Sequence, residues 1–172
     1  MGAVITPQLV DLVDTFTGER SYSPGTTRFL DSWRVEPWGL RMEHSTPDDP
    51  FYDFEVTWLL PGLGLRLTHQ RTRSRHGRGG PSVLTAVRVQ HDARMWRTID
   101  LLLGLEITGC SPARVIRTEE FAAAVAGGVL RPGDAELALR IVHRTLEEVS
   151  RNRHDLNAWL ASRGIYEPWP PR

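Results

Sequence analysis

The sequence predicts an α+β protein, a strongly curved antiparallel β-barrel followed by two or three C-terminal α-helices. Between residues 33 and 117, roughly five to seven short segments alternate apolar and polar residues and are separated by hairpin-like turn signals. One of them, residues 99–107, is almost continuously apolar, the mark of a strand buried at the centre of a sheet. After Thr108 the apolar spacing switches to that of helices with recognisable ends. A barrel with helices against one opening accommodates these pieces, and small barrels commonly hold one small ligand. The expected organisation is an N-terminal segment over 1–32 (a short helix or a first strand) and a β-barrel over 33–117. C-terminal helices packed on the barrel follow over 118–165, then a tail over 166–172.

Taken in order, residues 7–16 carry Leu9, Leu12, Val13 and Phe16 at helical spacing, which predicts a short helix on the rim. Gly18 and Pro24-Gly25 mark turns. Residues 33–42 read as a strand interrupted at Glu36-Pro37, and proline there implies an edge or a bulge. Residues 51–60 and 63–70 flank Pro61-Gly62 and form a hairpin candidate. An arginine-rich loop over 71–80 leads to an alternating strand at 82–90, and residues 113–116 read as one more short strand. Thr118 is the expected N-cap of a first helix, with Glu119 and Glu120 in its first turn and Gly127-Gly128 as its stop. Pro132 opens a second helix with the stripe Ala135, Ala138, Leu139, Val142, Leu146 and Val149. Asp155 caps a third, carrying Leu156, Trp159 and Leu160, and the tail from Trp169 is expected to fray.

The central stretch holds the chemistry. At period two, Asp100, Leu102, Gly104 and Glu106 share one face, while Ile99, Leu101, Leu103, Leu105 and Ile107 share the other. Carboxylates on a buried strand cost several kcal/mol unless paired, hydrated or liganded, so their face should line a cavity. On a straight strand Asp100 and Glu106 lie about 20 Å apart, too far to serve one bond. Asp100 is expected either to work in that pocket or to pair with Arg88 or Arg97.

Composition bounds the rest. A chain of 172 residues is one domain of ordinary size. No segment approaches the ~18 apolar residues of a membrane span, and no basic region precedes an apolar one at the N-terminus, so a cytoplasmic protein without a membrane partner is expected. Cys110 is the single cysteine; it forms no internal disulfide and reads as a small buried residue near a strand end. All 21 basic residues are arginine, which excludes Schiff-base and lysine-base chemistry. Their distribution is uneven. Residues 1–65 hold 4 Arg against 10 acids, residues 66–97 hold 8 Arg against Asp92, and residues 98–172 hold 9 Arg against 10 acids. The middle belt lacks interleaved aromatics and the chain is neutral overall, so no nucleic-acid partner is expected. The belt is a solvated loop, or an anion clamp.

Several segments in the same order are similar to the domain-of-unknown-function 402 family, which includes FomD-like hydrolases and nucleoside tri- and diphosphatases. They are Glu36-Pro37-Trp38-Gly39-Leu40, Thr57-Trp58-Leu59-Leu60-Pro61-Gly62-Leu63-Gly64-Leu65-Arg66 and Trp96-Arg97-Thr98-Ile99-Asp100-Leu101-Leu102-Leu103, followed by the stretch around Glu119-Glu120-Phe121 and the later helices. The resemblance implies a β-barrel with C-terminal helices and, in active members, divalent metal ions held by acids to hydrolyse phosphate anhydrides or esters. This chain departs from that pattern. Thr85 or Arg88 stands where the family carries an aspartate or asparagine. Asp100 keeps the first acid of the central pattern, but Gly104 takes the second, and residues 109–111 lack an acid. Glu120 keeps an acid before the first helix, with Arg117 in place of the leading aspartate. Hard divalent cations want about six oxygen ligands. No bound metal is therefore expected, magnesium or manganese being the alternative.

The candidate catalytic residues are Asp100, His69 and Glu120, with Arg66, Arg88, Arg97, Trp58 and Trp96 as candidate substrate-binding residues. His69 and His91 lie near strand ends, where histidine is the natural acid or base at neutral pH but is equally a satisfied structural residue. Glu120 is also an ordinary first-turn acid, and the tryptophans are also core. Three functions fit a small-molecule ligand, with a homodimer possible: a metal-independent enzyme of secondary-metabolite biosynthesis (cyclisation, isomerisation or proton transfer), a metal-dependent phosphohydrolase, or a non-catalytic ligand-binding barrel.

Overall fold

The computed structural model describes residues 9–22, 25–73 and 80–171, in which ten strands precede three helices. The strands are β1 (Val10–Asp14), β2 (Glu19–Tyr22), β3 (Thr26–Phe29), β4 (Ser32–Glu36), β5 (Gly39–Ser45), β6 (Tyr52–Leu60), β7 (Leu65–Thr72), β8 (Ser82–His91), β9 (Met95–Ile107) and β10 (Arg114–Ile116). The helices are α1 (Thr118–Ala126), α2 (Pro132–Arg151) and α3 (Leu156–Ser162). The sheet runs β3-β2-β1-β9-β8-β7-β6-β5-β4 with β10 added on β9, and every pairing is antiparallel.

The two outermost strands, β3 and β4, are consecutive in the chain and joined only by Leu30 and Asp31. A link that short spans about 10 Å, so the edges of the sheet are drawn together and the sheet curls into a half-barrel. Leu30, at the link, is buried inside the curl.

The two faces have different contents. The convex face carries Val56, Trp58, Leu60, Leu65, Leu67, Leu84 and Leu105 and is covered by the helices through Ala138, Ile141, Val142 and Trp159. The concave face is divided along its length. At one end Val13, Leu40, Met42, Leu59 and Trp96 pack together with Leu30. Continuing the same alternation toward the other end gives Asp11, Arg20, His44, Glu55 and Thr57, whose registers place His44 opposite Glu55 and Met42 opposite Thr57. Half of the barrel interior is therefore a core, and half is a chamber with ionisable walls.

Several expectations are corrected. The 10–14 segment is strand β1, not a helix, because it is hydrogen-bonded to β2 on one side and β9 on the other. Residues 7 and 8, and Arg75 and Arg78 of the arginine loop, lie outside the described residues. The sheet thus begins at Val10 rather than at 33. Pro37 sits in the β4–β5 turn, not within a strand. Thr118 is the first residue of α1, and Arg117 holds the cap position, while Asp155 caps α3 by accepting from the Ala158 amide at 3.0 Å. Cys110 is exposed. No described helix is long and apolar enough to cross a membrane.

The tail is docked rather than frayed. Trp169 is buried, its ring edge-on to Trp58 at 4.8 Å, its Nε1 donating to Ser82 Oγ at 2.8 Å. Asn157 clamps its backbone on both sides at 2.8 Å. Trp169→Ala is expected to cost about 3–5 kcal/mol, read as a lower urea midpoint with unchanged far-ultraviolet dichroism. The described part of the arginine belt is paired within the chain, with Arg71 on Asp53, Arg94 on Asp14 and Arg73 on the carbonyls of Thr46, Pro47 and Asp49. The charge asymmetry along the sequence is therefore largely cancelled across strands.

Candidate active site

The regular alternation expected for the central strand breaks at its middle. Between the pairs Val87↔Asp100 and Thr85↔Gly104, β8 advances two residues while β9 advances four. The extra length is a bulge in which Leu101, Leu102 and Leu103 are all buried, and Leu102 takes a left-handed φ of 71°. For leucine this conformation costs roughly 1–2 kcal/mol. The bulge separates Asp100 from Glu106, which pairs with Arg114 at the β10 edge.

Asp100 is held by two guanidiniums. Arg66 Nη2 donates to its Oδ2 at 2.6 Å, and Arg117 Nη1 donates to Oδ2 and Oδ1 at 3.1 and 3.3 Å. The Leu102 amide of the bulge donates to Oδ1 at 2.7 Å. Burial raises the carboxyl's pKa, but Arg66 and Arg117 outweigh it and hold the group below the ordinary value of 3.8. Arg117 itself sits at φ 62°, and its Nε donates to Glu120 at 2.9 Å. The expected partners of Asp100, Arg88 and Arg97, point elsewhere. Arg88 pairs with Asp134 of α2 and Arg97 bonds Gln90. Their positions on β8 and β9 put them outside the curl, which their separation in sequence does not reveal.

Asp100 and Arg66 line one wall of a cavity of about 310 Å³, with Asp11, Arg20, Tyr22 and Glu55 on the others. It adjoins a second cavity of about 420 Å³ that shares Tyr22 and Glu55 and adds His44, Gln70 and Arg28. Arg20 is the most constrained of these. It is 3% exposed, its Nε and Nη2 donate to Asp11 at 2.7–3.2 Å, and its guanidinium stacks over Tyr22 at 4.6 Å. Burial pushes the Tyr22 phenol up to about 12, so it stays protonated. Glu55 accepts from Thr57 and Gln70 and lies 3.6 Å from Arg20 Nη1 and 3.9 Å from His44 Nε2. Six buried side-chain atoms have no hydrogen-bond partner among the described residues, and two of them, Arg20 Nη1 and His44 Nδ1, belong to this chamber, the others being on Trp58, His69, Trp96 and Glu167. Buried polar atoms are rarely left so, and the two of the chamber belong to residues lining cavities.

Burial lowers the His44 pKa below 6.5, with Arg20 and Arg28 acting in the same direction and Glu55 and Asp31 opposing. His69, half-buried against the docked tail, is lowered by burial as well. The folded protein keeps these imidazoles neutral while the unfolded chain protonates them. The stability they contribute is present above pH 6.5 and is lost as pH falls through their lowered folded values. Urea midpoints should therefore decline from about pH 6.5 downward, and His44→Asn combined with His69→Asn should flatten that decline.

Of the residues expected from sequence, the fold brings Asp100, Arg66 and Glu120 together around Arg117. Trp96 lies at the apolar end of the concave face, stacked by His91 at 4.1 Å, and borders a separate cleft of about 410 Å³ with Trp38 and Arg163. Trp58 is buried on the convex face beneath Trp38, and His69 is on that face too. Asp11, Arg20, Tyr22, His44 and Glu55 are the residues that sequence reasoning missed.

The donor set does not fit a divalent cation. Both oxygens of Asp100 are taken by guanidinium and amide N–H groups, and Arg117 and Gly104 stand at acid positions implied by the family resemblance. A side chain at 104 has no room, since a Cβ there would lie 2.7 Å from the Leu84 carbonyl oxygen. Among the described residues no three His, Cys, Asp or Glu side chains form a group that could hold a metal ion.

A half-barrel with a charged chamber in its concave face and C-terminal helices on its convex face is DUF402-like and FomD-like. The fold is shared with a DUF402 protein of unknown function from Rhodococcus sp. RHA1, with 28% identity and a TM-score of 0.88 over 95% of this chain and 99% of that one. It is shared more distantly with FomD in complex with CDP (14% identity, TM-score 0.60, 80% of this chain and 82% of that one). The phosphatase SC4828 with the non-hydrolyzable nucleotide GPCP is a further neighbour (12% identity, TM-score 0.55, 82% and 80%). No protein-family model matches the chain. No curated protein matches it in sequence.

Proposed function

We propose that this protein is a metal-independent enzyme that carries out proton-transfer chemistry, an isomerisation or cyclisation of secondary-metabolite type, on a small molecule inside the half-barrel. The observation that carries this reading is the state of Asp100, whose carboxylate is neutralised by Arg66 and Arg117 and has no oxygen to offer a cation. In such a site charge is managed by fixed guanidiniums instead of a metal ion. The clamp and the first cavity together oppose Asp11, Glu55, Asp100 and Glu120 with Arg20, Arg66 and Arg117, so every cation is matched by an acid. Such a wall lacks the excess of positive charge that a nucleoside di- or triphosphate demands and suits an uncharged polar ligand better. Strained Leu102 and Arg117 at the clamp support a functional role, since strain of this kind concentrates at active sites.

A second reading, metal-dependent hydrolysis of a phosphate anhydride or ester, draws on the nucleotides bound by FomD and SC4828. Turnover assays separate the two. The expected result is activity on a neutral metabolite that is indifferent to chelator. Hydrolysis of nucleotides that requires manganese or magnesium and disappears with chelator would overturn the first reading in favour of the second.

A further inference from the structure

We infer that His44 is the base of this chamber and Arg20 its oxyanion donor, and that the substrate is a neutral carbonyl compound with an acidic C–H beside the carbonyl. The inference rests on the reading of the interior as a metal-free enzyme and names the substrate class for it. His44 and Glu55 face one another across the β5–β6 ladder, with His44 Nε2 3.9 Å from the Glu55 carboxylate. A carboxylate on that side selects the tautomer with the proton on Nε2 and leaves Nδ1 as a bare lone pair. Nδ1 is buried with no hydrogen-bond partner among the described residues, and Nε2 has only the longer contact to Glu55. Glu55 is fixed in turn by Thr57 and Gln70, so the pair is oriented before any ligand arrives. On the facing strand, Arg20 is anchored to Asp11 through Nε and Nη2, and the remaining Nη1 has no hydrogen-bond acceptor among the described residues, the Glu55 carboxylate standing 3.6 Å away. Arg20 Nη1 and His44 Nε2 both approach Glu55 Oε1, at 3.6 and 3.9 Å, so base and donor meet at one carboxylate between two adjoining cavities, Arg20 on the first and His44 on the second. A base beside a fixed cationic N–H donor supplies the two parts that proton abstraction beside a carbonyl requires.

The step balances without a co-reactant. His44 Nδ1 takes the proton, the C–H electron pair becomes the carbon–carbon double bond of an enolate, and the carbonyl π pair moves onto oxygen beside Arg20 Nη1. Return of the proton to the opposite face of the same carbon gives the epimer, or, where the substrate carries a β,γ double bond, its return to the γ-carbon gives the conjugated isomer, and no electrons are gained or lost. Glu55 stabilises the imidazolium formed in between. Arg20, Arg28, Glu55 and Asp31 are the charged groups that set the His44 titration, and the neutral imidazole needed for abstraction is the form that burial favours.

The test needs no knowledge of the substrate. In nitrogen-15-labelled protein at neutral pH, with the His44 signal assigned from His44→Asn, the expected state is protonated at Nε2 and bare at Nδ1, and Glu55→Gln should erode that preference. As an enolate mimic, 4-nitrophenol should bind as its phenolate below its solution pKa, and Arg20→Lys, which keeps the charge but loses the fork, should weaken it about tenfold. A proton on Nδ1, an imidazolium at neutral pH, or binding unchanged by Arg20→Lys would overturn the inference. Metal-dependent nucleotide hydrolysis alongside the expected tautomer would instead remove only the metal-free reading.

Discussion

Asp11→Asn is expected to destabilise the protein by about 3–5 kcal/mol, one of the two largest effects of a conservative substitution in this fold. Arg20 and Asp11 have side chains only 3% and 7% exposed, and all three strong hydrogen bonds of the guanidinium go to that one carboxylate. Neutralising it strands a cation between β1 and β2 with Glu55 at 3.6 Å as the remaining counter-charge. The cost comes from the orphaned charge rather than from loss of a favourable pair, so Asp11→Leu with Arg20→Met should recover most of the stability. Urea unfolding of the single and double variants measures both. A loss under about 1 kcal/mol for Asp11→Asn would mean that Arg20 reaches water.

Asp100→Asn is expected to lower turnover, by loosening the Arg66 wall of the cavity rather than by removing a reacting group, and to cost about 2–3 kcal/mol, less than Asp11→Asn because Arg66 and Arg117 are 18% and 29% exposed and can be partly hydrated. Its pH signature differs from that of the histidines. The Asp100 carboxyl is lowered in the folded state, so its contribution is present above the unfolded value of 3.8 and is lost as pH falls through the lower folded value. The variant should therefore follow wild type in the decline below pH 6.5 yet lose part of the later decline below 3.8. Both limbs are read from urea midpoints against pH. An Asp100→Asn enzyme of full activity would remove the clamp from the mechanism.

The strands from β6 onward and the helices were legible because their signals are local, whereas β1 to β3 were not legible as strands. Pro61-Gly62 turns β6 into β7, Pro132 opens α2, and Asp155 caps α3. Asp100 and Arg66 could be singled out, the first as an acid on an apolar run and the second from the resemblance, but their union could not. What brings them together is the β8–β9 bulge, and nothing in Leu101-Leu102-Leu103 announces that two extra residues are absorbed there. The chamber was hidden for a related reason. Asp11, Arg20, His44 and Glu55 come from four strands, and they meet only because a two-residue link ties β3 to β4 and forces the curl. The helical spacing of Leu9, Leu12 and Val13 is compatible with a strand over so short a span, and the ladders to β2 and β9 decide for the strand.

Manganese titration of the wild-type protein, followed by the loss of the free ion's paramagnetic signal, addresses the central claim most directly. If Arg66 and Arg117 have taken over the role of cations beside Asp100, the ion should stay free up to about millimolar concentration, in wild type and in Asp100→Asn alike. One manganese bound at micromolar concentration and released by Asp100→Asn would contradict that claim and return the chain to metal chemistry.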